Sequence, residues 1–173
     1  MSDSAIAQLV FGGLTIGETT YPPKQIHGQS YLGLVGTLEK RLEDKGEIGT
    51  FRGFKIRPYS FPTARGGKRG GIRWGATREP KDRPGVVERQ VIVAYVMGMD
   101  NTGADQIAAA EMQEYLSEAI RHWAEGRCAY PGVELISDIT SGFFNAQDAV
   151  SSAEPDAWWM AMELVFTLRY SKS

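Results

Sequence analysis

Few side chains in this 173-residue chain combine the type and the spacing that chemistry requires. The two histidines, His27 and His122, lie far apart, and neither belongs to an HExxH or HxH pattern that would turn two imidazoles toward one metal ion. His122 falls near the end of a long amphipathic run, where a cation complements the partial negative charge of a helix C-terminus; metal ligation is the minor reading. The single cysteine, Cys128, follows Arg127, a neighbour of the kind that activates thiols, yet no base is spaced to make it a nucleophile. One cysteine also excludes an intramolecular disulfide and any Cys-rich zinc or iron–sulfur site. Glu111, Glu114 and Glu118 recur at helical spacing opposite an apolar stripe, the pattern of a solvated face. No catalytic residue, metal ligand or cofactor is assigned, and the chain is read as a non-enzyme.

The glycine cluster GGKRGG at Gly66 to Gly71 lacks the GxxxxGK[ST] spacing whose amides wrap a phosphate, and it is not a GxGxxG after a strand. It does contain two RGG triplets, starting at Arg65 and Arg69. Such segments track nucleic-acid backbones by charge and by Arg stacking, and Trp74 offers a base-stacking platform. Arg65, Lys68, Arg69, Arg73 and Trp74 are therefore candidate contacts to DNA or to a partner. A hairpin tip with no ligand, or a loop ordered only against a partner subunit, carries more weight, because polar Gly/Arg loops are common without any ligand.

The net charge of −2 conceals a strong asymmetry. From Arg52 to Arg83 ten Lys/Arg face only Glu79 and Asp82, a block of +8, while the rest of the chain carries nine basic and nineteen acidic residues. Asymmetry of this kind marks contact with a polyanion or with a complementary face of a partner. At 42% hydrophobic and 23% charged, the composition is that of a soluble globular domain, large enough to bury about 70% of its unfolded surface. No apolar run approaches about 18 residues and the N-terminus has no basic leader region, which argues against a membrane span and a signal peptide; a reducing cytoplasm is expected.

Two units position these residues: an arm over 1–25 and a single α+β domain over 26–173. In the arm, Gly12, Gly13, Gly17, Pro22 and Pro23 interrupt any element, yet Ile6, Leu9, Val10, Phe11, Leu14 and Ile16 are too apolar for a solvated tail. It needs a surface, its own domain's or a neighbouring subunit's, and Leu9, Phe11 and Leu14 are candidate subunit-interface residues. Apolar residues at three- and four-residue intervals predict a helix from Ser30, as N-cap, to Lys45. Gly33 and Gly36 inside it cost about 1 kcal/mol each relative to Ala, which points to close packing against another element.

Phe51 to Tyr59 predicts a strand, and 60–84 a basic glycine-rich hairpin or loop with its tip near Gly66 to Gly71. Val86 to Met99, apolar on both faces, predicts a central covered strand. Ala104 to Glu125 predicts a long helix whose stripe includes Ile107, Met112, Leu116, Ile120 and Trp123. A short strand around Val133 to Ile139 follows, then a loop over 141–156. Trp158 to Tyr170 alternates with period two and is a strand with one core face; Trp159, Ala161 and Val165 make its other face apolar enough for a subunit interface or a covering helix. The expected class is α+β, with two helices covering one mainly antiparallel sheet.

This order of elements, closing with PGV, a variable loop and the terminal strand WWMAMELVFTLRY, resembles the tail terminator, or tail-completion and head–tail joining, proteins of tailed bacteriophages. The likeness spans roughly Ser30 to Tyr170 and rests on element order, the family having no diagnostic motif. It implies a structural virion subunit that forms a homo-oligomeric ring, usually sixfold, capping the tail tube and docking the filled head. The implied partners are further copies of itself, the tail-tube protein and a head-completion or connector protein, with transient contact to genomic DNA in the lumen and no membrane. The implied place is the tail or neck of the virion, assembled in the host cytoplasm. The arm and the basic hairpin exceed what compact members require and are read as elaborations for reaching neighbouring subunits. A nucleic-acid-binding module built on the RGG segment, and a tail-tube or other neck subunit, are the alternatives.

Overall fold

The computed structural model describes residues 8–16, 18–44, 50–51, 54–58, 60–62, 68–70, 72–99, 103–125, 132–145 and 158–171. A helical turn at 8–11 (α1) leads to two small hairpins, β1 (Thr15–Ile16) with β2 (Thr19–Thr20) and β3 (Lys24–Ile26) with β4 (Gln29–Tyr31). Helix α2 (Leu34–Asp44) follows, then β5 (Thr50–Phe51), β6 (Phe54–Pro58), β7 (Ser60–Pro62), β8 (Lys68–Gly70), β9 (Ile72–Arg78) and β10 (Val86–Met99). Helix α3 (Gly103–Ala124) precedes β11 (Val133–Leu135), β12 (Thr140–Asn145) and β13 (Trp158–Ser171).

The sheet is built on its two longest strands. β10 and β13 pair antiparallel from Val86↔Ser171 to Met99↔Trp158 without a register shift. Period-two patterning fixes that register, because a one-residue slip would turn every core side chain to the other face. Each long strand carries two short strands in tandem along its outer side: β9 and β6 on β10, β11 and β12 on β13, with β5 beyond β6. All these pairings are antiparallel, and the architecture is the expected α+β class with a mainly antiparallel sheet.

One face of the sheet meets both helices. Val91, Val93, Tyr95 and Met97 of β10 and Met162, Leu164, Phe166, Leu168 and Tyr170 of β13 form one buried cluster with Leu34, Leu38 and Leu42 of α2 and Met112, Leu116, Ile120 and Trp123 of α3. The three- and four-residue recurrence of those helical positions puts them on a single stripe per helix. Tyr115 of α3 donates its hydroxyl to the Arg41 carbonyl of α2 at 2.8 Å, tying the two helices together. The opposite face of β10 and β13 is also buried at Ile92, Ala94, Val96 and Ala161, as the doubly apolar run of β10 requires.

Several local expectations are corrected. The N-terminal segment lies on its own domain: Leu9 is 1% and Phe11 6% exposed, both in the main cluster, and Leu14 packs against it. Leu9 and Phe11 are core, so they are not available as subunit-interface contacts, while Leu14 is half-buried at the margin of the cluster. Glycine is what lets the segment approach. The Gly33 amide donates to the Gly12 carbonyl at 2.9 Å, and a Cβ on Gly33 would sit 2.6–2.7 Å from the Gly12 nitrogen and the Val10 carbonyl group.

Ser30 does not cap α2 but lies in β4; β3 and β4 are joined by His27 and Gly28 at φ 48° and 78°, the positive dihedrals of a type I′ hairpin. Phe51 pairs with Phe54, which splits the expected strand 51–59 into β5 and β6. Within the expected hairpin or loop, Ser60–Pro62 and Lys68–Gly70 pair as a short hairpin, while Ile72–Arg78 is a strand of the main sheet on β10, and 141–145, expected as loop, pairs with β13. The last two are short segments rich in Arg, Gly or Ser whose extended state is imposed by pairing with a long neighbour. Ile107, expected on the buried stripe of α3, is 62% exposed. Gly126 and the loop at 146–156 lie outside the described residues.

Candidate functional site

The basic block maps to one side of the sheet. Lys55 and Arg57 lie in β6, Lys68 and Arg69 in β8, and Arg73 and Arg78 in β9, with Lys81 and Arg83 in the turn that follows. β7 pairs with β8, Phe61 opposite Arg69, and lies against β9. Arg73, Arg78, Lys81 and Arg83 are all exposed. On the other side of the sheet, the stretch 132–145 that forms β11 and β12 contains the exposed acids Glu134 and Asp138 and no Lys or Arg. The two lateral edges of the sheet therefore carry opposite charge.

A row of charges connects the two edges across the face turned away from the helices. Register sets Arg78 opposite Glu88, Glu88 opposite Arg169, and Arg169 opposite Glu134, on β9, β10, β13 and β11. The central pair is the tight one: Arg169 donates from Nη2 at 2.8 Å and from Nε at 3.2 Å to one oxygen of Glu88, whose side chain is only 12% exposed. Arg78 lies 3.8 Å from Glu88, and Glu134 lies 3.7 Å from Arg169. Opposite charges directly across strands stabilise pairing, and the shielded central pair contributes more than its exposed flanks.

Of the proposed DNA or partner contacts, Arg65 lies outside the described residues, Lys68 and Arg69 are placed only as positions of β8, and Arg73 is exposed on β9. Trp74 is half-buried against the core, and the Arg89 guanidinium lies over its ring at 4.8 Å from the centroid. One face of that indole is thus already occupied. Trp159 is placed as a position of β13 opposite Gly98, next to the buried strip of Ala161, Ala94 and Val96.

Three other groups of polar residues stand out. His122 Nε2 lies 2.8 Å from Glu118, which also accepts from Arg121 at 3.0 Å, so imidazole and guanidinium share one carboxylate in the last turns of α3. Glu39, half-buried on α2, has its carboxyl held above the ordinary range by burial; Tyr95, fully buried on β10, is pushed far above its ordinary value by burial first and by the Glu39 charge second. Gln113 of α3 donates to the Ser141 hydroxyl of β12. Among the described residues no three His, Cys, Asp or Glu side chains are grouped to hold a metal ion, and no helix is long and apolar enough to cross a membrane.

The residues that sequence reasoning passed over are Arg89, Glu88 and Arg169. Arg89 interrupts the apolar alternation Val87, Val91, Val93, Tyr95, and that break was the available signal; the Glu88–Arg169 pair depends on a register between strands about 80 positions apart. No family model, no curated protein and no solved structure matches the chain.

Proposed function

We propose that this chain is a structural virion protein of a tailed bacteriophage, a tail terminator subunit that closes into a ring, caps the tail tube and presents the docking surface for the head. The observation that carries the reading is the opposition of charge between the sheet's two edges: exposed Arg73, Arg78, Lys81 and Arg83 on one, Glu134 and Asp138 on the other. A ring that closes needs two different, mutually complementary faces on every subunit, and such an edge pair supplies them with the same polarity all the way round. The resemblance in element order supports the same reading. Its partners are further copies of the chain, the tail-tube protein and a head-completion or connector protein, with DNA passing through the lumen.

Charge reversal tests it. Arg73→Glu together with Lys81→Glu places an acidic edge against an acidic edge and is expected to abolish assembly. Adding Glu134→Lys and Asp138→Lys in the same chain restores opposition and is expected to recover it, read as mass by light scattering after gel filtration. Should the double reversal leave assembly intact yet abolish retention on nonspecific DNA at moderate salt, the partner of the basic edge is nucleic acid and the ring reading fails.

A further inference from the structure

Arg89 is a half-buried cation in an apolar row. It stands on the helix-facing side of β10 between Val87 and Val91, both in the buried cluster, and its Nε is fully buried with no acceptor in reach among the described residues. On the adjacent strand β13, the register Val87↔Tyr170 and Arg89↔Leu168 places Tyr170 diagonally beside it on the same face. Tyr170 is 3% exposed, and its hydroxyl is likewise buried without a partner. Diagonal neighbours on paired strands stand about 7–8 Å apart at the backbone, so two long side chains can converge on one acceptor. Burial pushes the Tyr170 hydroxyl above its ordinary pKa, and the Arg89 charge acts in the opposite direction.

Trp74 lies under the Arg89 guanidinium, and the register of β9 against β10 shifts between Arg89 and Val91, with Trp74 opposite Val91 and Thr77 opposite Arg89. Gly75 lies beside this bulge, where a Cβ would make the Gln90 side chain shift. Bulges of this kind re-aim side chains and gather near functional sites. Two buried donors without acceptors, one of them charged, cost free energy that an acceptor would recover.

We propose that Arg89 and Tyr170 form a receptor for a carboxylate, with Trp74 as the platform that orients the guanidinium. The site offers one positive charge and one neutral hydroxyl donor, which matches a singly charged planar carboxylate accepting from the guanidinium edge and from the phenol. The carboxylate is either a free small acid or an Asp or Glu side chain of a second copy, of which the acidic remainder of the chain holds an excess. The receptor does not depend on the ring reading.

The test is thermal unfolding of the full chain in sodium propionate against sodium chloride at equal ionic strength. Propionate well above its dissociation constant is expected to raise the midpoint by about 2–4 °C. Arg89→Gln should lose that shift entirely and Tyr170→Phe most of it. In chloride alone Tyr170→Phe should melt no lower than the parent, since the hydroxyl it removes has no partner; a purely structural Tyr170 would melt lower. If Arg89→Gln does not fold, the Tyr170→Phe pair of measurements carries the test alone. If propionate shifts nothing but Arg89→Gln dissociates the assembled protein, the carboxylate belongs to a second copy. The proposal is overturned if propionate shifts parent and variants alike, or if it shifts nothing and Arg89→Gln leaves the assembly unchanged.

Discussion

At the scale of single residues, position relative to the sheet decides what each charge does. Glu88 and Glu134 belong to the same row, yet Glu88 accepts two hydrogen bonds from Arg169 behind a side-chain exposure of 12%, whereas Glu134 is 71% exposed at 3.7 Å. Glu88→Gln is therefore expected to cost about 1–3 kcal/mol, because it weakens charge-assisted bonds and leaves Arg169 poorly partnered, while Glu134→Gln should cost under about 1 kcal/mol. Urea denaturation of the two variants checks the order. Glu39 works in the opposite sense. Burial holds its folded-state pKa above the unfolded value, so the folded protein binds its proton more tightly, and this group's contribution to stability falls as pH rises from the ordinary carboxylate range through the raised value. Glu39→Gln is expected to raise the denaturation midpoint at pH 7, with the advantage shrinking toward pH 4.

At the scale of elements, the helix-spaced glycines show how a sequence cost becomes a structural requirement. Gly36 weakens α2 from within, while Gly33, the residue just before the helix, opens a gap that the 8–14 segment fills, its amide hydrogen-bonded to the Gly12 carbonyl. Gly33→Ala would drive a Cβ into backbone that has no freedom to yield, and a loss of about 2–3 kcal/mol is expected in chemical denaturation, with far-UV circular dichroism near the parent's. The long strands were legible because fourteen-residue runs such as β10 carry their own period. β9 and β12 were not, since IRWGATR and TSGFFN acquire extended structure from the strand beside them. The same limit applied to the site: the basic block and Trp74 could be read from composition, but the edge opposition, the Arg78–Glu88–Arg169–Glu134 row and the Arg89–Tyr170 pair exist only once register is set. The destination of the arm was half legible; its apolar residues demanded a surface, and only the Gly12–Gly33 approach shows that the surface is its own core.

At the scale of the whole molecule, the net charge of −2 is the sum of a +8 block over 52–83 and an acidic remainder of −10, and the opposition of sign between the sheet's two edges is what the proposed ring uses. With Leu9 and Phe11 internal, the proposed ring would be held by the edges and the remaining surface, including Ile107 and Phe143, which are exposed at 62% and 45%. The measurement that bears most directly on the account is negative-stain imaging of the full chain, alone at high concentration and mixed with tail tubes. The account predicts closed rings of cyclic symmetry seated on tube ends. Particles that stay monomeric at every concentration and leave the tube ends bare would contradict it.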